Sequence, residues 1–184
     1  MNITDQQLTR AIYSQWDFQQ ALSALTFLLE DCDFEEKYNK VELRRFRCYE
    51  STAIISFARP FEIARRGTTL GLRALGIKLS KSDCALRDKI LDLRRKIIAH
   101  SAEEEMHYRV TTYPVIDGEF FIPHFQFNEG LHLSYSELRE LETFLRWITG
   151  KMGEFFIELA QSQPELLQRY KEPESLQHAE SENA

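Results

Sequence analysis

Apolar residues recur every three or four positions over most of the first hundred residues, and this spacing predicts three helices. The first helix is expected over about residues 4–32, starting at the capping sequence Thr4-Asp5-Gln6-Gln7. The second is expected over about residues 40–64, with a kink at Pro60 because proline lacks a backbone donor. The residues predicted to face the core are Ile12, Trp16, Leu22, Leu25, Leu28 and Leu29, followed by Phe46, Tyr49, Ile54 and Phe57.

The third helix is predicted to begin with Asp83 as its N-cap and to end near His100 or Ser101. Successive residues of an α-helix are about 100° apart around its axis, which places four apolar residues on one core-facing stripe. These are Leu86, Ile90, Leu93 and Ile97. On the same wheel Arg94 and His100 lie at the two edges of the stripe, whereas Arg95 points to solvent.

After Glu105 the pattern alternates with a period of two, which predicts strands, and Asp117-Gly118 is typical of a hairpin turn. We therefore expect a β-hairpin over about residues 107–127. Its aromatic residues are expected to pack the insertion onto the helices; the alternative is that they stack on nucleic-acid bases.

A last long helix is predicted from the capping sequence that begins at Ser134, and Pro164 should end it or begin a short extra turn. Gly150 and Gly153 in its middle indicate close packing against a neighbour or a mild bend. Its predicted apolar side consists of Leu138, Leu141, Phe144, Leu145, Ile148, Phe155 and Leu159.

These segments predict a mainly α fold, in which four long helices form a bundle and a β-hairpin is inserted between the third and fourth. The length of 184 residues suits one domain, expected over residues 1–171. Residues 172–184 contain four glutamates and no lysine or arginine, and this composition predicts a disordered acidic tail.

Composition favours a cytoplasmic protein that does not enter a membrane. The longest apolar runs fall short of the roughly 20 residues of a membrane span, and the N-terminus has no signal-like apolar core. The three cysteines are widely spaced and form no CxxC pair, so reduced thiols are expected and a metal site is not.

Charge is distributed unevenly along the chain. The net charge is −6, yet residues 37–100 contain sixteen Lys and Arg against six Asp and Glu. A basic middle between acidic ends suits a local contact with an anionic partner such as RNA. The alternative is a solvated helix face neutralised by acidic residues nearby in the chain, around residues 30–36.

Arg94 and His100 are the residues with the clearest chemical potential. A guanidinium keeps its charge in a protein, whereas an imidazole titrates near neutrality, so the two supply a fixed cation and a proton carrier. Phosphodiester cleavage uses both functions. A histidine in the last turn of a helix also complements the helix dipole, and this structural role is the rival interpretation of His100.

At these residues the chain resembles the HEPN superfamily of helical ribonucleases and ribonuclease-like proteins, whose motif is an arginine, a polar residue, a few further residues and a histidine. Here the motif reads Arg94, Arg95, Lys-Ile-Ile-Ala, His100. The family usually has asparagine, aspartate or histidine where this chain has Arg95. The toxin branch has a tyrosine where this chain has Ala102. The likeness is closer to HEPN domains associated with abortive phage infection, and it extends from about Phe46 to the histidine.

The resemblance implies an endoribonuclease that needs no metal or other cofactor, with Arg94 and His100 as catalytic residues. It implies a role in phage defence or a toxin-like stress response, and a cognate inhibitor or activator protein is a further expected partner. Supporting or RNA-binding residues would be Arg95, Lys96, Glu50 and Tyr49. The alternative is a non-catalytic dimer that binds RNA, a nucleotide or a partner protein.

The resemblance also implies a homodimer in which two Arg/His motifs face each other across the two-fold axis. Leu91 and Ile98 form a second, smaller apolar strip on the third helix, which would suit such an interface. The other histidines near the hairpin, His107, His124 and His132, are expected to be surface residues.

Overall fold

The structure, a computed structural model, describes residues 3–63, 67–98, 108–127 and 129–168, with only the backbone of residues 97 and 98. The predicted catalytic His100 lies outside the described residues. So does the expected disordered tail at 172–184.

Four helices and a two-stranded antiparallel sheet between the third and fourth helices make up most of the described chain, which confirms the predicted order of elements. The helices are α1 (Asp5–Asp31), α2 (Lys40–Ala58), α3 (Lys81–Leu93) and α4 (Tyr135–Ser162), and the strands are β1 (Tyr108–Val115) and β2 (Phe120–Phe127). None of the helices in the described ranges has the length and apolar character needed to cross a membrane.

All four helices begin with a capping box, in which the N-cap side chain and the third helical residue satisfy each other's backbone N–H groups. The N-cap residues are Thr4, Asn39, Ser80 and Ser134. The prediction that Asp83 caps α3 is wrong. Ser80 is the N-cap, and Asp83 is its partner at the third position, with a carboxylate that accepts from the Ser80 N–H at 2.8 Å.

The core lies where α1 packs against α2 and α4. The predicted apolar side of α4 is buried throughout, and Leu25, Leu28, Phe46, Ile54 and Phe57 are also buried as predicted. The prediction fails in the first half of α1, where Ile12 and Trp16 are 40% and 59% exposed. The buried stripe there consists of Leu8, Ala11, Ser14, Asp17, Phe18 and Ala21. Many residues of this stripe are small, so the positions of the largest apolar side chains did not indicate which face of the helix is buried.

α2 ends at Ala58, six residues earlier than predicted. Pro60 lies in a 3-10 turn, Arg59–Phe61, because its ring cannot continue the helix. A second 3-10 turn, Leu72–Leu75, precedes α3. The backbone N–H of Leu70 donates to the carbonyl of Pro60 at 2.7 Å, so the connection between α2 and α3 folds back onto the end of α2.

The hairpin has the predicted position and turn. Tyr108 pairs with Phe127 at its open end and Val115 pairs with Phe120 beside the turn. Asp117 and Gly118 have positive φ angles of 53° and 89°, as the predicted turn requires, and Ile116 also has φ 53°.

The prediction that the hairpin aromatics pack onto the helices is wrong. All six of its tyrosines and phenylalanines are 54–65% exposed: Tyr108, Tyr113, Phe120, Phe121, Phe125 and Phe127. In an antiparallel ribbon each residue points away from its neighbour, so burial on the helices would cover one face of the strands. Neither strand shows such a buried face.

Gly150 and Gly153 lie in an uninterrupted α4, and a Cβ built at either position would meet no heavy atom within 4 Å. Close packing against a neighbour is therefore not the reason for these glycines. The 3-10 turn Pro164–Leu167 follows α4, as Pro164 predicted.

Candidate functional site

The predicted site begins where α3 changes its hydrogen-bonding pattern. α3 ends at Leu93, and Arg94–Ile98 form a π-helical turn. At the junction the Arg94 N–H is shared between the carbonyl oxygens of Ile90 and Leu91. A π-helix closes on wider i→i+5 rings, so each residue turns by less than the 100° assumed for an α-helix. The α-helical phase assumed from the sequence therefore does not apply over Arg94–Ile98.

Arg94 and Arg95 meet at one carboxylate, that of Glu62. Arg94 Nη1 lies 3.2 Å from Glu62 Oε2, and Arg95 Nε donates to Glu62 Oε1 at 3.3 Å. The Arg94 side chain is 34% exposed and the Arg95 side chain is 60% exposed. Arg94 is thus the more buried of the two, in the order that the helical wheel predicted.

Glu62 is held in place by contacts of its own backbone. Arg10 of α1 donates through Nη2 to the carbonyl oxygen of Glu62 at 3.3 Å and also to that of Arg59. These bonds fasten the turn after α2 to α1, so the carboxylate that joins the arginines is presented by a fixed segment. Glu62 was not identified from the sequence. The one feature that could have pointed to it is that it is an isolated acidic residue in a basic stretch.

A pocket of about 940 Å³ lies between α3 and the segment that precedes it, and its lining does not include Glu62, Arg94 or Arg95. Phe61 and Leu91 belong to its lining; Phe61 precedes Glu62, and Leu91 lies one helical turn before Arg94. The pocket also contains three cations, Arg73, Lys78 and Arg87. Arg87 is bound to Asp88 through two hydrogen bonds of 2.7 and 2.9 Å, and its guanidinium lies 5.9 Å from the centre of the Phe61 ring.

Arg73 and Lys78 are exposed, and neither forms an ion pair with a carboxylate in the part of the chain that the structure describes. The pocket therefore combines an apolar floor with two cations whose charge is not locally balanced. Such a lining suits a ligand that is partly apolar and carries negative charge, as a nucleotide does.

Of the other predicted supporting residues, Lys96 lies in the same π-helical turn as the arginines, whereas Tyr49 and Glu50 lie on α2. Lys96 forms an ion pair of 2.9 Å with Asp92, one turn earlier. The Tyr49 ring packs against Phe27, with 5.9 Å between the ring centres. Glu50 precedes Glu62 by twelve residues of mostly helical chain, which corresponds to roughly 18 Å along the axis.

Glu50 is fully buried and fastens the segment before α4. Its Oε1 accepts hydrogen bonds from the backbone N–H groups of His132 and Leu133, both at 2.8 Å. Its Oε2 is buried and has no hydrogen-bond partner among the described residues. Burial raises the pKa of the Glu50 carboxyl to about 7, although the two backbone donors and the charge of Arg47 oppose the shift.

His132 is not the surface residue that the sequence led us to expect. It is half-buried, and its Nε2 lies 2.8 Å from Nη2 of Arg47. His124 is also half-buried, against the ring of Tyr113. His107, like His100, lies outside the described residues. The structure thus contains an arginine–histidine pair, Arg47 and His132, that sequence reasoning did not identify.

Much of the basic charge of residues 37–100 is matched by carboxylates from other parts of the fold. The pairs are Arg44 with Glu129, Arg45 with Asp31, Arg59 with Asp17, and Lys89 with Glu137. The local excess of charge in the sequence therefore does not become a uniformly basic surface.

Leu91, which motivated a dimer interface on the third helix, is only 8% exposed and lies in the pocket wall. It is therefore not part of an exposed apolar strip. The side chain of Ile98, its expected neighbour in that strip, lies outside the described residues.

In the described ranges, His, Cys, Asp and Glu side chains form no cluster of three or more that could hold a metal ion. Comparisons of the chain with models of protein families, with curated proteins and with solved structures give no match.

Proposed function

We propose that the protein is an endoribonuclease of the HEPN type that cuts RNA without a metal ion, with Arg94 and His100 as its catalytic residues. The observation that supports this most is that Arg94 and Arg95, the two arginines of the motif, reach one place, the carboxylate of Glu62. A π-helical turn at the arginines adds support, because such turns are frequent at functional sites.

In the proposed reaction His100 takes the proton from a ribose 2′-hydroxyl, and the 2′-oxygen attacks the neighbouring phosphorus. Arg94 stabilises the negative charge that develops on the phosphoryl oxygens. The bond from phosphorus to the 5′-oxygen breaks, and that oxygen receives a proton from solvent. The products are a 2′,3′-cyclic phosphate and a free 5′-hydroxyl.

RNA would contact the protein locally. The pocket volume of about 940 Å³ is within the range of small-molecule sites and is sufficient for one nucleotide. Arg73 and Lys78 would bind the phosphate on either side of it. Because much of the remaining basic charge is paired, we expect few phosphate contacts and a modest dependence of affinity on salt.

A second candidate is a non-catalytic HEPN-like dimer that binds RNA, a nucleotide or a partner protein. The occupation of both arginines by Glu62 favours it, because a carboxylate in that place lowers the charge available to a phosphate. For either candidate we propose a cytoplasmic homodimer that acts in phage defence or a toxin-like stress response, under the control of a cognate inhibitor or activator.

The proposal is tested by incubating the purified protein with a mixed RNA pool and with single-stranded DNA of matched length, both in EDTA. We expect cleavage of RNA alone, since DNA lacks the attacking 2′-hydroxyl, and 2′,3′-cyclic phosphate ends on the products. Intact RNA, together with saturable binding of RNA or nucleotide, would favour the non-catalytic candidate.

A further inference from the structure

The register of the hairpin divides its side chains into two unlike faces, because directly paired residues lie on the same side of a sheet. One face contains four aromatic rings, Val110, two prolines and one threonine. The rings are Tyr108, Phe121, Phe125 and Phe127. We call this the apolar face. The opposite face mixes polar and apolar residues: it contains Arg109, Thr111, His124 and Gln126 together with Tyr113, Val115, Phe120 and Ile122.

All eight side chains of the apolar face are exposed, and none is charged. The rings are 54–65% exposed, so they and their neighbours expose roughly 700 Å², given that one aromatic side chain can bury about 150–250 Å². A contiguous apolar patch of this size marks an interaction site on most soluble proteins. A lone two-stranded hairpin is also only marginally stable in water, so it needs a second layer.

We propose that the apolar face binds the apolar face of a second copy of this chain. Two such faces would bury roughly 1,400 Å² in total, within the range of about 1,200–2,000 Å² that is typical of stable dimers. The absence of charge means that two identical faces meet without like-charge repulsion. Face-to-face packing of two hairpins gives a small β-sandwich, which supplies the missing layer.

The apolar face is complementary to itself. Three of its four rings belong to β2, whereas β1 contributes smaller residues such as Val110 and Pro114. A two-fold axis parallel to the strands places β2 of one copy over β1 of the other. Phe125 then packs on Val110 of the other copy, and Phe121 packs on its Pro114. Because the axis is two-fold, each contact occurs twice.

RNA suits the apolar face less well than a second copy does. Stacked bases bring phosphates with them, and proteins that stack single strands combine aromatic rings with a basic groove. The apolar face has no lysine or arginine, and Arg109 lies on the opposite face. The dimer proposal does not depend on the chemistry at Arg94. A monomeric protein that cuts RNA would contradict this proposal and the homodimer of the proposed function, but not the catalytic roles of Arg94 and His100.

The test is the mass of the full chain in solution at micromolar concentration, measured by sedimentation or light scattering. We expect twice the 21.7 kDa of one chain. Phe125→Glu should weaken the dimer about 100-fold or more, because each dimer loses two buried anchor residues. The matched control is Tyr113→Glu, since Tyr113 lies on the opposite face and is exposed to the same extent as Phe125, 54%. This control should remain a dimer.

A mixing experiment tests the predicted contact itself. Val110→Lys and Phe125→Glu should each be monomeric alone, and an equimolar mixture should recover the dimer mass, because lysine and glutamate then meet across the interface. A monomeric parent protein would overturn the proposal, as would equal loss of the dimer in Phe125→Glu and Tyr113→Glu. If the parent protein is a monomer and Phe125→Glu loses binding to RNA or to lipid vesicles, the proposal is overturned. The apolar face then binds that partner instead.

Discussion

Glu62 determines how much positive charge a phosphate group would meet at the arginine pair. Two guanidinium groups share one carboxylate, so the three side chains together carry one net positive charge. A bound phosphate would compete with Glu62 for both arginines. Arg94 is the more buried of the two arginines, so the effective dielectric around its guanidinium is lower. Its interaction with a phosphate should therefore be the stronger one.

The two arginines should therefore differ in what they do. Arg94→Ala should lower the single-turnover rate of RNA cleavage by about 100- to 1,000-fold, the range for loss of one donor to a developing negative charge. Arg95→Ala should weaken RNA binding more than it slows chemistry, and its effect should shrink as salt is raised. Loss of cleavage in Arg95→Ala with an unaffected Arg94→Ala would show that the assignment of the two roles is wrong.

Glu50 makes the stability of the fold depend on pH. Its pKa is about 7 in the folded chain, against an ordinary value of 4.5, so the folded state holds more protons between these pH values. The contribution of Glu50 to the free energy of unfolding is therefore highest below about pH 4.5 and falls by up to about 3 kcal/mol as pH rises to about 7.

Glu50→Gln removes this titration and keeps an oxygen that can accept from His132 and Leu133. The variant should gain stability over the parent as pH rises from about 5 to about 8, measured by urea unfolding. Glu119→Gln, in the exposed turn of the hairpin, is the control and should show no such trend. A difference between Glu50→Gln and the parent that does not change with pH would contradict the assignment.

Among the helices, α4 contains two glycines whose replacement should stabilise the fold. Gly150→Ala and Gly153→Ala should each raise the free energy of unfolding by up to about 1 kcal/mol, because alanine favours the helix and the added methyl group meets no neighbour. The measurement is the urea midpoint followed by circular dichroism. Gly118→Ala, at a φ of 89°, is the contrasting control and should destabilise the hairpin.

A lower midpoint in both α4 variants would mean that these glycines are needed for a contact or a bend that the isolated chain does not show. Such a result would also revive the expectation of close packing that the sequence suggested.

The elements that the sequence predicted well are those specified by local interactions. Thr4 and Ser134 lie three residues before a partner that completes a capping box, and Asp117-Gly118 supplies the positive φ angles of its turn. The π-helical turn at Arg94 was not predictable in this way. Its residues have the same apolar spacing as an α-helix, and the wider ring appears only in the hydrogen bonds.

The errors in burial have a different cause, which is tertiary packing. Trp16 is exposed because the buried stripe of α1 passes through Ala11, Ser14 and Ala21, whose small side chains allow close approach of the neighbouring helices. Periodicity identifies a face of a helix but does not say which of two adjacent faces meets the next element.

At the scale of the whole molecule, the candidate site depends on contacts between distant parts of the chain. Glu62 reaches Arg94 from the end of α2, and Arg10 of α1 holds the segment that presents it. Glu50 and His132 meet in the same way across more than eighty residues. The arginines could be identified as candidates from the sequence. The contact of Glu62 with Arg94 and the contact of Glu50 with His132 do not follow from spacing along the chain.

The distribution of charge is likewise a property of the whole fold. Residues 37–100 are strongly basic in sequence, and carboxylates from α1 and α4 compensate part of that charge in space. Arg73 and Lys78 are exposed at the pocket, and Lys37, Lys40 and Lys81 are exposed elsewhere on the surface. A protein of net charge −6 would therefore bind RNA through a small area.

If His100 performs the proton transfer in RNA cleavage, as we propose, two histidine variants should behave differently. His100 follows Arg94 in the sequence motif, and His132 contacts Arg47 in the structure. The two variants to compare are His100→Gln and His132→Gln. Both should be measured for the rate of cleavage of the same RNA pool in EDTA, after circular dichroism has shown that both are folded.

His100→Gln should abolish the formation of 2′,3′-cyclic phosphate ends, because the side-chain amide of glutamine cannot accept the proton. His132→Gln should cut at close to the parent rate. Cleavage by His100→Gln at the parent rate would contradict the catalytic role of His100. If His132→Gln alone lost cleavage, the active site would instead be at Arg47 and His132.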